Sequence, residues 1–253
     1  MDLLDWAGLA ATTAGAALLY TLTGFGFAIL AAPLFLLFVD PQRAIQLVII
    51  ISTALSFVAL PGLWRAITPW LLLRLALGSL ARLPFGLIAF HYADPFLVRL
   101  LVGATILGFA VLLELRRRRP DGPVGTIAIR PVPEVATGAV SGIATALVGM
   151  AGPPVLIYLL LAGAPSRTVR ATLLSFFALA YATTLATHAV IVGIPPQTWF
   201  SASVLIPFAF LGGLAARPLG DRLDPDSFTI IAILLLGAAG IYTLAAAVGP
   251  AVR

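Results

Sequence analysis

From Trp6 to Val39 no charged residue interrupts the chain. As a single helix that stretch would run about 50 Å, against a hydrocarbon core of about 30 Å, so it is too long for one crossing and too apolar for a soluble domain. Gly24-Phe25-Gly26 lies inside it, and two glycines two apart are poor helix formers that let a backbone turn. The expectation is a long helix, a break at these glycines, and a short second helix over 27–39. Composition agrees: 61% of the residues are apolar and 10% charged, where soluble domains carry about a quarter charged. Further apolar runs cover 44–63, 68–90, 96–115, 134–148, 153–162, 168–193, 197–219 and 227–248. Lipid offers no hydrogen-bond partner, so spanning segments must be helices or a closed barrel, and these runs lack the alternation of barrel strands. An all-helical integral membrane protein follows. The first residues, Met1-Asp2-Leu3-Leu4-Asp5, carry no basic stretch of the kind that opens a cleaved signal, so the first apolar run is read as structural.

The second half repeats the arrangement of the first. Pro133 to Ala162 is interrupted by Gly149-Met150-Ala151-Gly152-Pro153-Pro154, again leaving a short second piece. Pro41-Gln42-Arg43 matches Pro165-Ser166-Arg167 at an offset of 124, and Gly78, Pro84 and Gly86 match Gly212, Pro218 and Gly220 at an offset of 134. An internal duplication accounts for all of these in order. The fifteen basic residues, every one Arg, then orient the halves, because Arg near helix ends is retained on the cytoplasmic side. If each break makes a hairpin, Arg65, Arg116 to Arg119, Arg130, Arg167, Arg170, Arg217 and Arg222 fall inside, while Arg43, Arg99 and Arg253 fall outside. If each broken stretch crosses once, the two sides are nearly equal. The hairpin arrangement is favoured, and its odd number of pieces per half inserts the second copy upside down, the plan of many secondary transporters. The expected architecture is a first repeat over 1–115, a cytoplasmic Arg-rich linker over 116–132 and an inverted second repeat over 133–253. Each repeat has a Gly-broken hairpin, spanning or re-entrant, plus three transmembrane helices. Sidedness is the same whether the hairpins cross or re-enter, so six to ten spans fit.

Candidate chemistry is defined first by what is missing. There is no HExxH, GxSxG or phosphate-cradling loop, no Cys, and only His91 and His188 among imidazoles. The ten carboxylates sit at termini, loops or segment ends. Intramembrane hydrolases need a general base, metal transporters need His or carboxylate ligands, and many cation pumps need a buried acid. No cofactor, metal site or nucleic-acid partner is implied. What the interior offers is positive: helix N-termini following Gly24 and Gly26 in one half and Gly149 and Gly152 in the other, with Pro153 suited to a first helical turn. Anions bind at such ends. The other reading of these glycines is close helix packing.

Arg82 lies near the middle of the segment 68–90, a depth that costs about 3 kcal/mol on insertion scales. An anionic substrate can offset that cost; so can snorkelling or the carbonyls freed by Pro84. Arg74, Arg170 and Arg217 read as interfacial anchors. Tyr181, Thr183, Thr184 and Thr187, with Ser52, Thr53 and Ser56 on the counterpart segment, can donate hydroxyls to an oxyanion or bond helix to helix. His188 is the candidate for a coupled proton, imidazole titrating near neutrality.

The run Gly149-Met150-Ala151-Gly152-Pro153-Pro154-Val155-Leu156-Ile157-Tyr158, with Gly163-Ala164-Pro165 and Arg170-Ala171-Thr172 after it, resembles the second-half signature of the sulfite exporter TauE/SafE family. Gly24-Phe25-Gly26 is similar to its first-half partner. The resemblance implies a bacterial inner-membrane permease for a sulfur-containing anion, sulfite or an organosulfonate, with no ATPase motif of its own. The expected site comprises Gly24, Phe25, Gly26, Arg82, Gly149, Gly152, Pro153 and Tyr181, holding the anion near the midplane. The alternatives from other classes are a small-anion channel and a membrane-embedded enzyme acting on an anionic lipid headgroup; the enzyme would need a base or nucleophile that no carboxylate is placed to supply. Which anion is carried, its direction and coupling, and the oligomeric state are not legible at this level.

Overall fold

The computed structural model describes residues 2–24, 26–59, 67–117, 130–220, 234, 237–238 and 240–245. Every regular element among them is helical. In chain order these are α1 (Leu3–Thr23), α2 (Phe27–Phe35), α3 (Pro41–Ala59), α4 (Pro69–Tyr92), α5 (Pro95–Arg117), α6 (Pro131–Val148), α7 (Gly152–Leu161), α8 (Ser166–Thr187) and α9 (Pro196–Gly220). A π-helical turn, His188–Val192, continues α8. Among the described residues six helices are long and apolar enough to cross a membrane: α1, α3, α4, α6, α8 with its π turn, and α9. Most of the last apolar run, 227–248, most of the Arg-rich linker, and Arg65, Arg222 and Arg253 lie outside the described residues, as does Phe25.

Local chemistry sets the helix ends. Asp40 and Asp94 each precede a proline, and their carboxylates accept the N–H of Arg43 at 2.9 Å and of Leu97 at 2.6 Å. Both are N-caps with Pro at the first helical position, where no N–H is needed. Asp2 and Asp5 form a capping box on α1. These four carboxylates are thus structural caps. One expectation needs correcting: the short helix after the first break ends at Phe35 rather than at 39. Leu37 and Phe38 turn back with bonds to Leu34 O and Phe35 O, three residues earlier, so the chain tightens and stops to reach the Asp40 cap.

α2 has nine residues and α7 ten, so they rise only about 14 and 15 Å, half a bilayer. Eight of the nine residues of α2 are buried, which an apolar helix tolerates only in a protein interior. The longer helices pack around them in pairs: α4 with α6, α1 with α9, α3 with α8, α3 with α9 and α4 with α8. Exchanging α1 with α6, α3 with α8 and α4 with α9 returns the same set of pairings.

The α4–α6 seam is close enough to need glycine. A Cβ at Gly78 would overlap the carbonyl of Val135, at Gly138 that of Leu75, and at Gly142 that of Ser79. Gly212, the repeat match of Gly78, sits against Ala14 O in the α1–α9 seam in the same way. Small residues let backbones approach where lipid gives no hydrophobic drive between helices. α3 and α8 run antiparallel: the Gln46 amide near the start of α3 donates to Gly193 O beyond the end of α8, at 3.0 Å, while Ser52 lies beside Tyr181. At one end of the bundle Arg74, read from sequence as an interfacial anchor, pairs with buried Glu134 at 2.8 Å. Glu134 also accepts from Arg130 N–H and from the Tyr158 hydroxyl, which joins α4, α6 and α7.

Candidate functional site

Each break is made by left-handed glycine. Gly24 (φ +80°) ends α1 with its N–H on Tyr20 O at 2.8 Å, and Gly26 (φ +112°) opens α2. Gly149 (φ +72°) ends α6, its N–H on Thr145 O at 3.0 Å and the next N–H, of Met150, on Ala144 O at 3.3 Å. These are the C-terminal caps that only glycine adopts without strain. Side chains hold the second break further: Ser141 donates to Ala151 O, the Tyr181 hydroxyl donates to Gly149 O at 3.1 Å, and Ala151 N–H donates to that hydroxyl at 3.4 Å.

The two short helices begin at one small cavity of about 10 Å³, roughly the space for a single water. Gly26, Phe27, Ala28 and Ile29 of the first break line one side, and Met150 and Gly152 of the second line another. Tyr20 of α1, Ser52 of α3, and Phe177 and Tyr181 of α8 complete the wall. None of the described residues lining it carries a charge. In α2 the N–H groups of Phe27, Ala28 and Ile29 have no intrahelical acceptor, and Leu30 N–H is the first to bond back, to Gly26 O. In α7 the same positions are Gly152, Pro153 and Pro154, so two of three donors are absent and the helix contributes Gly152 N–H and its dipole. The cradle is therefore unequal. Ser52 Oγ is buried with no partner in hydrogen-bond geometry, and the Tyr181 hydroxyl is its polar neighbour.

Of the residues expected from sequence, the fold brings Gly26, Gly152 and Tyr181 to this cavity, with Gly149 tied to it through Tyr181 and Pro153 buried in the first turn of α7. Gly24 lies one pocket away, beside Arg170. Arg82 is not brought there. It is exposed, its guanidinium 5.0 Å over the Phe85 ring, in a groove between α4 and α6 that shares no residue with the cavity. His188 is apart as well, buried against Phe90 at 4.6 Å with Nε2–H donating to Ala146 O at 3.1 Å. Thr53, Thr183 and Thr187 spend their hydroxyls on their own helices, four residues back. The first turn of α2 is the helix N-terminus expected after Gly26, whereas Tyr20 and Phe177 were not anticipated; the available signal for Tyr20 was its place one turn before Gly24.

A second pocket, about 430 Å³ and half open, lies against the first. Thr21, Gly24, Val58, Arg170, Leu174 and Gly213 are among its lining residues, and Tyr20 borders both spaces.

The family model described as "Sulfite exporter TauE/SafE" matches residues 9–243 of the 253. The chain belongs to the TauE/SafE family. No curated protein and no solved structure matches it. The TauE/SafE match covers both glycine breaks and all the helices that line the cavity, and it makes the chain a multi-pass membrane protein of a transporter family.

Proposed function

We infer that this TauE/SafE protein is a secondary transporter that carries a small sulfur oxyanion, sulfite or an organosulfonate, across the bacterial inner membrane. The observation that carries the reading is the convergence of two buried helix N-termini on one cavity with no carboxylate among the described residues of its wall. Helix N-termini favour anions, and an uncharged lining leaves nothing to repel or neutralise one. The α2 amides and Ser52 supply donors for the oxygens, and Phe27 and Phe177 enclose the rest. Arg82, exposed on α4, is left out of this site. The antiparallel α3–α8 pair and the exchange symmetry of helix contacts support two repeats of opposite orientation joined by the Arg-rich linker. Alternating access then follows from rocking one repeat against the other. A cavity the size of one water is too small for sulfite, so binding requires its wall to move.

The test is uptake into proteoliposomes of purified protein with sulfite, ethanesulfonate, sulfate, phosphate and acetate. Saturable flux with counterflow, selective for sulfite or the sulfonate, is expected. Flux that stays linear with concentration makes it a channel, and no flux of any sulfur anion overturns the reading.

A further inference from the structure

We propose that the 430 Å³ pocket is the vestibule through which the anion reaches the cradle, and that Arg170 is the residue that recruits it. This rests on the transport reading above. Arg170 is the one charged group among the described residues that line the pocket. Its side chain is exposed, lies against Gly24, and donates from Nη2 to Thr21 O at 3.2 Å, one of the five N–H donors of a guanidinium. A cation in a cleft with apolar walls concentrates anions there, because the low-dielectric lining focuses its field. Leu55, Leu174 and Ala209 are such walls. Tyr20 is the partition: its ring borders vestibule and cradle alike, and its hydroxyl is held 3.4 Å from that of Ser56.

The counterpart of this vestibule in the other repeat is closed. Where Gly24 meets the Arg170 side chain, Gly149 meets Val48 and Ile45, and both of these are fully buried. Arg170 corresponds to Gln46 at the repeat offset, and Gln46 is buried with its amide on Gly193 O. Two related positions therefore differ in both access and charge: one is open and cationic, the other sealed and neutral. With the Arg distribution placing the start of α8 inside, the open one faces the cytoplasm, where an exported anion loads.

Wild type, Arg170→Gln and Arg170→Lys in proteoliposomes give the test, with initial sulfite rates measured against concentration at low and high ionic strength. Gln removes the charge and shortens the side chain, and Lys keeps the charge at a length close to that of Arg. The Gln variant is expected to raise KM about tenfold with Vmax little changed, and to abolish the salt dependence of KM; Lys is expected to restore most of both. Val58→Glu, which puts an acid in the same pocket without touching the Thr21 bond, is expected to raise KM as well, and this holds even if Arg170→Gln fails to fold. A Gln variant with wild-type KM and salt response overturns the proposal. So does one that loses Vmax alone, since Arg170 would then be only a tie to α1. Wild-type protein that moves no sulfur anion overturns instead the transport reading beneath it.

Discussion

Ser52 and Arg82 show how much depends on where one side chain points. Ser52 Oγ reaches the cradle wall with no bond to lose, so Ser52→Ala is expected to leave thermal stability in detergent unchanged. It should nonetheless weaken sulfite or sulfonate binding about fivefold by calorimetry, the size of one hydrogen bond to an anion at about 1 kcal/mol. Arg82→Gln is expected to leave that affinity within about twofold, since it removes an exposed charge in a groove that shares no residue with the cavity. A large loss at Arg82 with none at Ser52 would return the site to the arrangement expected from sequence. His188 belongs with Arg82 here: both were chosen for residue type, and both turn out to pack on an aromatic ring, Phe90 and Phe85.

The short helices are the elements on which the site depends. Neither α2 nor α7 can span; a left-handed Gly26 opens α2, and α7 follows the left-handed Gly149 that ends α6, its approach held by Tyr181 and Ser141. Gly149→Ala forces a Cβ into the left-handed region, at a cost of about 1–2 kcal/mol, and toward Val48. A lower melting temperature in detergent together with reduced flux is the expected outcome, and an unchanged protein would show the break to be other than described. The Pro153-Pro154 pair explains why the cradle is lopsided. Two prolines start a helix well and keep its dipole, but they withdraw two amide donors, so the α2 end carries most of the hydrogen bonding.

For the molecule as a whole, the property on which the proposed mechanism turns is the unequal surroundings of Gly24 and Gly149, one beside an open pocket and the other against buried side chains. Because the chain has no cysteine, single substitutions report access with no background. In intact inverted vesicles a membrane-impermeant maleimide is expected to label Val58→Cys, on the open vestibule, and to spare Val48→Cys, on the sealed one. Equal labelling of both, or the reverse pattern, would reject a vestibule open to one side. The helix pairings constrain how the other state is reached. The glycine seams of α4 with α6 and α1 with α9 are tight backbone contacts and suit rigid bodies that move as units, leaving the α3–α8 contact to slide.

The membrane class, the helices of the described residues and the positions of both breaks were legible from the order of residues, because each has a local cause. Apolar runs longer than a bilayer must fold back, a glycine pair must turn, and an aspartate before proline must start a helix. The family resemblance rested on those same local signals and held over residues 9–243. What the order of residues did not carry was which side of a helix faces inward. In a chain solvated by lipid the outward face of α4 is as apolar as its inward face, so no periodicity marks Arg82 as outside or Tyr20 as inside. Arg170 and Arg82 are alike as letters; one lines a vestibule with residues of α1, α3 and α9 and the other an exposed groove between α4 and α6, and only the packing of those helices decides which.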